Sequence, residues 1–148
     1  MEILEIKSNK REFLPLLLLG DEQEELINAY LDRGTLFVLY DGGILRTAAV
    51  VTDEGNGVYE VQNLATASES QRRGYGKAMI AHIVQFCRPA ASRLILGTGD
   101  SPLTLPFYAA CGFRETHRVK DYFLTHYDHP IYEAGRQLVD QVYLCLDL

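Results

Sequence analysis

Residues 71–77, Gln71-Arg72-Arg73-Gly74-Tyr75-Gly76-Lys77, combine two glycines with three cations at a change of local pattern. A β-rich run over residues 58–65 precedes them, and an apolar helical pattern over residues 78–87 follows. A glycine turn between a strand and a helix leaves several backbone N–H groups pointing outward. The helix start adds its own unpaired donors and the positive end of its dipole. Together these make a seat for a phosphate or pyrophosphate. Gly74 and Gly76 allow backbone angles and a ligand approach that a Cβ would hinder. Arg72, Arg73 and Lys77 add positive charge in a chain whose net charge is -6. A tight turn with no ligand is the competing reading of the same residues.

Other reactive groups point to less. His126, Asp128 and His129 stand close together, but there is no HExxH, and a lone His-x-x-His does not support a metal site. No metal is therefore expected. There is no G-x-S-x-G, which removes support for a serine hydrolase. Cys87, Cys111 and Cys145 are widely spaced, odd in number and without a CxxC pair. That pattern favours reduced thiols in a cytoplasmic protein over a disulfide framework or a zinc site.

A chain of 148 residues, 47% hydrophobic and 23% charged, reads as one soluble domain over residues 1–148. The acidic balance argues against nucleic acid as a partner. No secretory signal is read at the N-terminus, and the apolar run at residues 14–19 is too short to cross a bilayer, so no membrane partner is expected.

Residues 3–6 alternate weakly as a first strand. Residues 11–19 and 22–31 read as two helices split near Gly20-Asp21, with Asp21 as N-cap and Glu24 at capping-box spacing. Gly34 ends the second helix. Strands follow at residues 35–40, 44–52 and 58–65, joined by Asp41-Gly42-Gly43 and by a turn around Gly55-Asn56-Gly57, giving a three-stranded antiparallel meander. After the glycine turn, Ile80, Ile83, Val84 and Cys87 share one helix face. Leu94-Ile95-Leu96 reads as a buried strand, so strand, helix and strand make one parallel crossover. Ser101 and Pro102 are expected to open a helix carrying Tyr108 and Cys111, ended by Gly112. Residues 113–119 and 139–146 read as final strands around an irregular, aromatic and acidic stretch, residues 121–135. Exposed edge strands at the C-terminus would allow a homodimer.

Two known phosphate motifs fail at the glycine turn. A P-loop needs Ser or Thr after Gly-Lys, and Ala78 stands there. The dinucleotide fingerprint needs Gly or Ala where Met79 stands, and the preceding strands lack its parallel order.

The stretch from Gln71 to Gly76 is similar to the Q/R-x-x-G-x-G/A signature of the GNAT superfamily of N-acetyltransferases. The preceding strand, Tyr59-Glu60-Val61-Gln62-Asn63-Leu64-Ala65-Thr66, also resembles that family. So does Pro106-Phe107-Tyr108-Ala109-Ala110-Cys111-Gly112-Phe113, which looks like the family's tyrosine-bearing helix running into a strand. The resemblance implies an α/β (α+β) fold: a mostly antiparallel sheet of about six to seven strands, flanked by about four helices, with two splayed parallel strands at its centre. It implies acetyl-CoA as co-substrate, with the pyrophosphate on the amides of Gln71, Arg72, Arg73, Gly74, Tyr75, Gly76 and Lys77. It implies that the pantetheine arm pairs with the main chain near Leu64, Ala65 and Thr66. A bulge somewhere on the strand of residues 58–66, at a position the sequence does not mark, would free an N–H for the thioester carbonyl. Tyr108, close to the CoA sulfur, would be the general acid, and Glu60 is the candidate base. Asp100 stands where many relatives carry asparagine; it would cap the next helix or face the substrate. The reaction expected is direct transfer to a primary amine of a small molecule or protein. A non-catalytic acyl-CoA sensor is the alternative. The acceptor pocket is expected between the first two helices and a lid at residues 121–132.

Overall fold

The computed structural model describes residues 1–148 as a seven-stranded sheet with helices on both faces. Strand β1 (Glu2–Ile6) is followed by a 3-10 turn (Lys10–Phe13), α1 (Leu14–Gly20) and α2 (Glu24–Leu31). Then come β2 (Thr35–Asp41), β3 (Ile44–Asp53), β4 (Val58–Thr66), α3 (Tyr75–Cys87) and β5 (Arg93–Gly99). The chain ends with α4 (Leu105–Ala110), β6 (Arg114–Val119), α5 (Tyr122–Thr125), the small hairpin β7 (Tyr132–Glu133) and β8 (Arg136–Gln137), and β9 (Gln141–Asp147). The large sheet runs β1-β2-β3-β4-β5-β9-β6, so β1 and β6 are its edges.

The meander has four strands, because β1 joins β2 antiparallel. Gly42 and Gly43 both hold positive φ, the requirement of a two-residue I′ hairpin loop between β2 and β3. The only parallel pair is β4 with β5, and it is short: residues 58–61 pair with 93–96, and no further. Beyond that point the strands separate. The register of β4 against β3 also shifts, with Val50 opposite Asn63 and Val51 opposite Val61. Gln62 is therefore the extra residue of a β-bulge. Side-chain alternation flips across it, so Glu60 and Asn63 share a face although they are three residues apart.

Two apolar layers hold the sheet. Phe37, Leu39, Val51, Leu94, Leu96, Val142 and Leu144 face Met79, Ile80, Ile83 and Cys87 of α3 and Tyr108 of α4. On the other face Leu36, Val38, Ala48 and Val50 pack on Leu16, Leu17, Ile27 and Leu31 of α1 and α2. A third, small cluster of Phe123, Ile131 and Leu138 lies under the segment after β6.

Several local expectations are corrected. Asp21 is not an N-cap: α2 starts from Gln23 with no side-chain cap, and the Asp21 carboxylate is bound instead by tyrosines. The first helix is split into a 3-10 turn and α1, because Pro15 sits in the first turn of α1. Helix α3 begins at Tyr75, one turn early, since Gly74 in the left-handed region serves as its N-cap. Ser101 caps only a turn, accepting the Leu103 N–H at 3.1 Å; α4 starts at Leu105, with Pro106 in its first turn. Residues 121–135 are not wholly irregular, but contain α5 and half of a hairpin.

The end of α1 is fitted closely to the bulged strand. A Cβ on Gly20 would stand 2.2 Å from Asn63 Oδ1 and 3.2 Å from the Leu64 carbonyl oxygen. The Leu64 carbonyl is fixed by the sheet and the Asn63 amide by its bonds to Leu17 and Tyr30, so Gly20→Ala is expected to destabilise the fold by about 1–3 kcal/mol, read from urea or thermal unfolding.

Candidate functional site

The splay of β4 from β5 opens a cavity of about 1060 Å³. Its side walls are the inner edges of β4 at residues 60–66 and β5 at residues 96–99. On the α3 face it is lined by Gly74, Tyr75, Gly76, Lys77, Phe107 and Tyr108. On the α1–α2 face it is lined by Asp21, Tyr30, Tyr122, Phe123 and Tyr127. One cavity with walls from both faces passes through the sheet.

At the α3 end the glycine turn is shaped for an anion. Arg72 and Gly74 hold φ of 61° and 87°. The first backbone bond of α3 runs from the Ala78 N–H to the Gly74 carbonyl, and no side chain caps the helix. The N–H groups of Tyr75, Gly76 and Lys77 therefore lack helical acceptors and stand at the positive end of a 13-residue helix. Gly76 also has a packing reason, since a Cβ there would lie 3.2 Å from the Phe107 ring. The Tyr75 side chain is buried and anchors the turn, its hydroxyl donating to Asp41 at 2.6 Å. Arg46 and Arg73 lie 5.5 and 5.4 Å from the Tyr75 ring centroid. Arg72, Lys77 and Gln71 line the cavity; Arg73 does not, being turned over Tyr75. Leu64, Ala65 and Thr66 supply the wall of β4, with their outer edge paired to β3.

Tyr108 closes the middle of the cavity. Its ring is 9% exposed and packs edge-on against Phe107 and Phe113, at 5.0 and 5.7 Å between centroids. The hydroxyl has no hydrogen-bond partner in the chain, although it is not sealed from the cavity. Burial pushes its pKa well above the ordinary phenol value, with smaller contributions from Cys111 and Glu133.

Glu60 lies on the α1–α2 face of β4, half-buried, and accepts the Tyr143 hydroxyl at 3.0 Å. Desolvation raises its pKa above the usual carboxylate value, partly offset by that hydrogen bond. A second carboxylate that sequence reasoning missed is Asp21. It accepts the hydroxyls of Tyr127 at 2.8 Å and Tyr30 at 3.2 Å, and burial raises its pKa as well. Behind it, buried Asn63 donates to Tyr30 Oη at 3.0 Å and to the Leu17 carbonyl at 2.9 Å. Asn63 stands on a strand that also carries Glu60, Gln62 and Thr66, so nothing in the sequence marks it as part of this network.

The remaining candidates lie elsewhere. Asp100 neither caps a helix nor lines the cavity; it pairs with Arg118 at 3.1 Å and Arg136 at 3.9 Å. His126 stacks on Tyr122, and His129 bonds Asp128 and Glu22. No group of three His, Cys, Asp or Glu side chains could hold a metal ion. No helix is long and apolar enough to cross a membrane.

Comparison with known proteins gives one consistent result. Residues 32–115 match the family model of the acetyltransferase (GNAT) domain. The chain is 34% identical over 139 residues to YvbK of Bacillus subtilis (strain 168), described as an uncharacterized N-acetyltransferase; the match covers 93% of this chain and 90% of that protein. A B. subtilis acetyltransferase solved in complex with CoA superposes with a TM-score of 0.92 at 32% identity, covering 99% of this chain and 98% of the other. A GNAT family acetyltransferase from Elizabethkingia anophelis with acetyl-CoA bound superposes with a TM-score of 0.94 at 28% identity, covering 99% and 97%.

Proposed function

This chain belongs to the GNAT family of acetyltransferases, and from that premise we infer that its through-sheet cavity brings acetyl-CoA to an amine from opposite faces. The observation that carries this reading is the continuity of the cavity. It joins an uncapped helix start on one face to two half-buried carboxylates on the other. The residues fit the co-substrate. The free amides of Tyr75, Gly76 and Lys77, with Arg72, suit its pyrophosphate. The unpaired inner edge of β4 at Leu64, Ala65 and Thr66 suits an amide-bearing pantetheine arm, which would lie along it as a further strand.

Acetyl-CoA supplies an activated acyl group, and the chain's own residues supply position and proton transfer. The bulge at Gln62 would free a main-chain N–H of β4 for the thioester carbonyl, where negative charge develops. Glu60 takes a proton from the ammonium of the acceptor, directly or through water. Its raised pKa moves it towards the range useful to a base near neutral pH. Tyr108 returns a proton to the departing thiolate. Its lack of an internal partner leaves the hydroxyl free to donate there. The thiolate forms in the same low-dielectric cavity, so burial raises the pKa of both partners in that transfer. Residues 1–148 act as one domain. The three free cysteines, with Cys87 raised to about 11 by burial and therefore inert, suit a reducing, cytoplasmic setting.

The test is to incubate the protein with acetyl-CoA and a panel of primary amines and to follow free thiol. Amine-dependent thiol release is the expected result. Acetyl-CoA binding without release across the panel would move the reading to an acyl-CoA sensor.

A further inference from the structure

Asp21 is an odd residue to find with no cation. It is half-buried, it lines the cavity, and none of the ion pairs of the chain includes it or Glu60. Its oxygens are oriented by neutral donors alone: Tyr30 on one, and Tyr127 with the Gln23 N–H at 3.5 Å on the other. Three donors leave lone pairs of a carboxylate unused. Removing a carboxylate from water without a counter-charge is costly, so the arrangement is completed best by a cation from outside.

Charge divides along the cavity. Its cationic lining, Arg72 and Lys77, belongs to the glycine turn and α3, whereas its acidic lining is Asp21, Glu22 and Glu60 of the α1–α2 loop and β4, with Glu133 of β7 acting on Tyr108. Aromatic faces make up much of the remaining acceptor side, beside the polar Asn63, Gln62 and Gln141. Tyr122, Phe123 and Tyr127 wall it, and Leu19 and Tyr132 line it while remaining 56% and 61% exposed. Asp21 also sits at a junction made by distant parts of the chain. Besides Tyr127, Gln23 bonds His126 and Asp128 at 3.2 Å each, tying the α1–α2 loop to the segment after β6.

We propose that Asp21, oriented by Tyr30 and Tyr127, holds the positive charge of the acceptor, and that the acceptor is a primary amine on an apolar or aromatic body. This rests on reading the cavity as the acceptor side of an acetyltransferase. The carboxylate meets the ammonium, the tyrosine faces cover the adjoining carbons, and an anion beside the amine is repelled. A polycation meets Glu22 and Glu60 besides Asp21, but loses hydration along the Tyr122, Phe123 and Tyr127 faces, so spermidine is the probe that decides between the two bodies.

The experiment uses phenethylamine, L-phenylalanine and spermidine as probes with the full chain. Phenylalanine keeps the aromatic body of phenethylamine and adds a carboxylate next to the amine. The wild type is expected to favour phenethylamine over phenylalanine in kcat/KM by about tenfold or more, and over spermidine as well. Asp21→Asn should raise KM for phenethylamine about tenfold with kcat little changed, and should shrink the phenethylamine-to-phenylalanine ratio. Tyr127→Phe removes one bond of the junction but keeps the charge, so it should preserve that ratio. If Asp21 were only a strut, both variants would lose activity alike and the ratio would stay; that result overturns the proposal. A wild-type ratio near one overturns it even if Asp21→Asn does not fold, and a preference for spermidine overturns the apolar body. Acetyl-CoA binding, measured separately by calorimetry, tells this failure from a deeper one. A wild type that binds acetyl-CoA but acetylates no amine removes the acetyltransferase reading, and this proposal with it.

Discussion

Tyr108→Phe is expected to lower kcat by about 10²- to 10⁴-fold, the usual range for loss of a positioned acid, while acetyl-CoA affinity stays close to that of the wild type. The substitution removes one oxygen and leaves the ring. Contacts with Phe107 and Phe113 are made by the ring, so packing is retained. The hydroxyl bonds nothing within the chain, so its removal orphans no buried group, and the fold should keep its stability within about 0.5 kcal/mol. This separates chemistry from structure in a way few active-site substitutions allow. Measurement of kcat with a good amine, beside calorimetric acetyl-CoA binding, checks it. Unchanged turnover would remove Tyr108 from the mechanism.

The second large effect falls on Glu60. Glu60→Gln should reduce kcat about 10²-fold or more and abolish the acid limb of the kcat–pH profile. The sign follows from the raised pKa. The ionised carboxylate is the working form, so wild-type kcat falls as pH drops through a pKa displaced above the ordinary value of 4.5. The amide cannot titrate, and its residual rate should be flat over that window. Stability runs the opposite way. A carboxyl whose folded pKa is raised contributes stability that is present below the unfolded pKa and is lost as pH rises through the folded pKa. At neutral pH the wild type therefore carries an ionised, desolvated carboxylate, and Glu60→Gln should melt no lower, and somewhat higher, than the wild type. An acid limb that persists in Glu60→Gln would assign the base elsewhere.

The donor half of the site was readable because its chemistry is local. Gly74 and Gly76, three cations and the switch from strand to helix lie within a few residues, and the proposed anion seat is made of backbone N–H groups from that same stretch. Tyr108 was singled out by the resemblance of its helix, and it lines the cavity. The acceptor half was readable in outline, since the first two helices and residues 121–132 do line the cavity, but the place of Asp21 and the face of Glu60 were not, for two physical reasons. Asp21 was read as an N-cap because sequence spacing sees only neighbours, whereas its partner Tyr127 is 106 residues away. The face of Glu60 could not be assigned because a bulge changes the period of a strand without marking the sequence. Once Gln62 is counted as the extra residue, Glu60, Asn63 and Ala65 fall on the face of α1 and α2. Boundaries failed in the same manner. Ser101-Pro102 has the chemistry of a helix start, but the chain spends it on a turn and starts α4 at Leu105, with Pro106 in its first turn.

The seam between β4 and β5 has a consequence for anyone who would make this protein sturdier. The sheet is two antiparallel blocks, β1 to β4 and β5-β9-β6, fastened by four residue pairs at one end. Its most central ladder is its least complete. Adding pairs beyond Val61 and Leu96 would raise stability by the ordinary rules of sheet formation, and each added pair would narrow the opening through which the two faces communicate. Engineering for thermal tolerance must therefore work at the edges, the loops and the helix ends. A zipped centre would give a better-formed sheet and an inert protein.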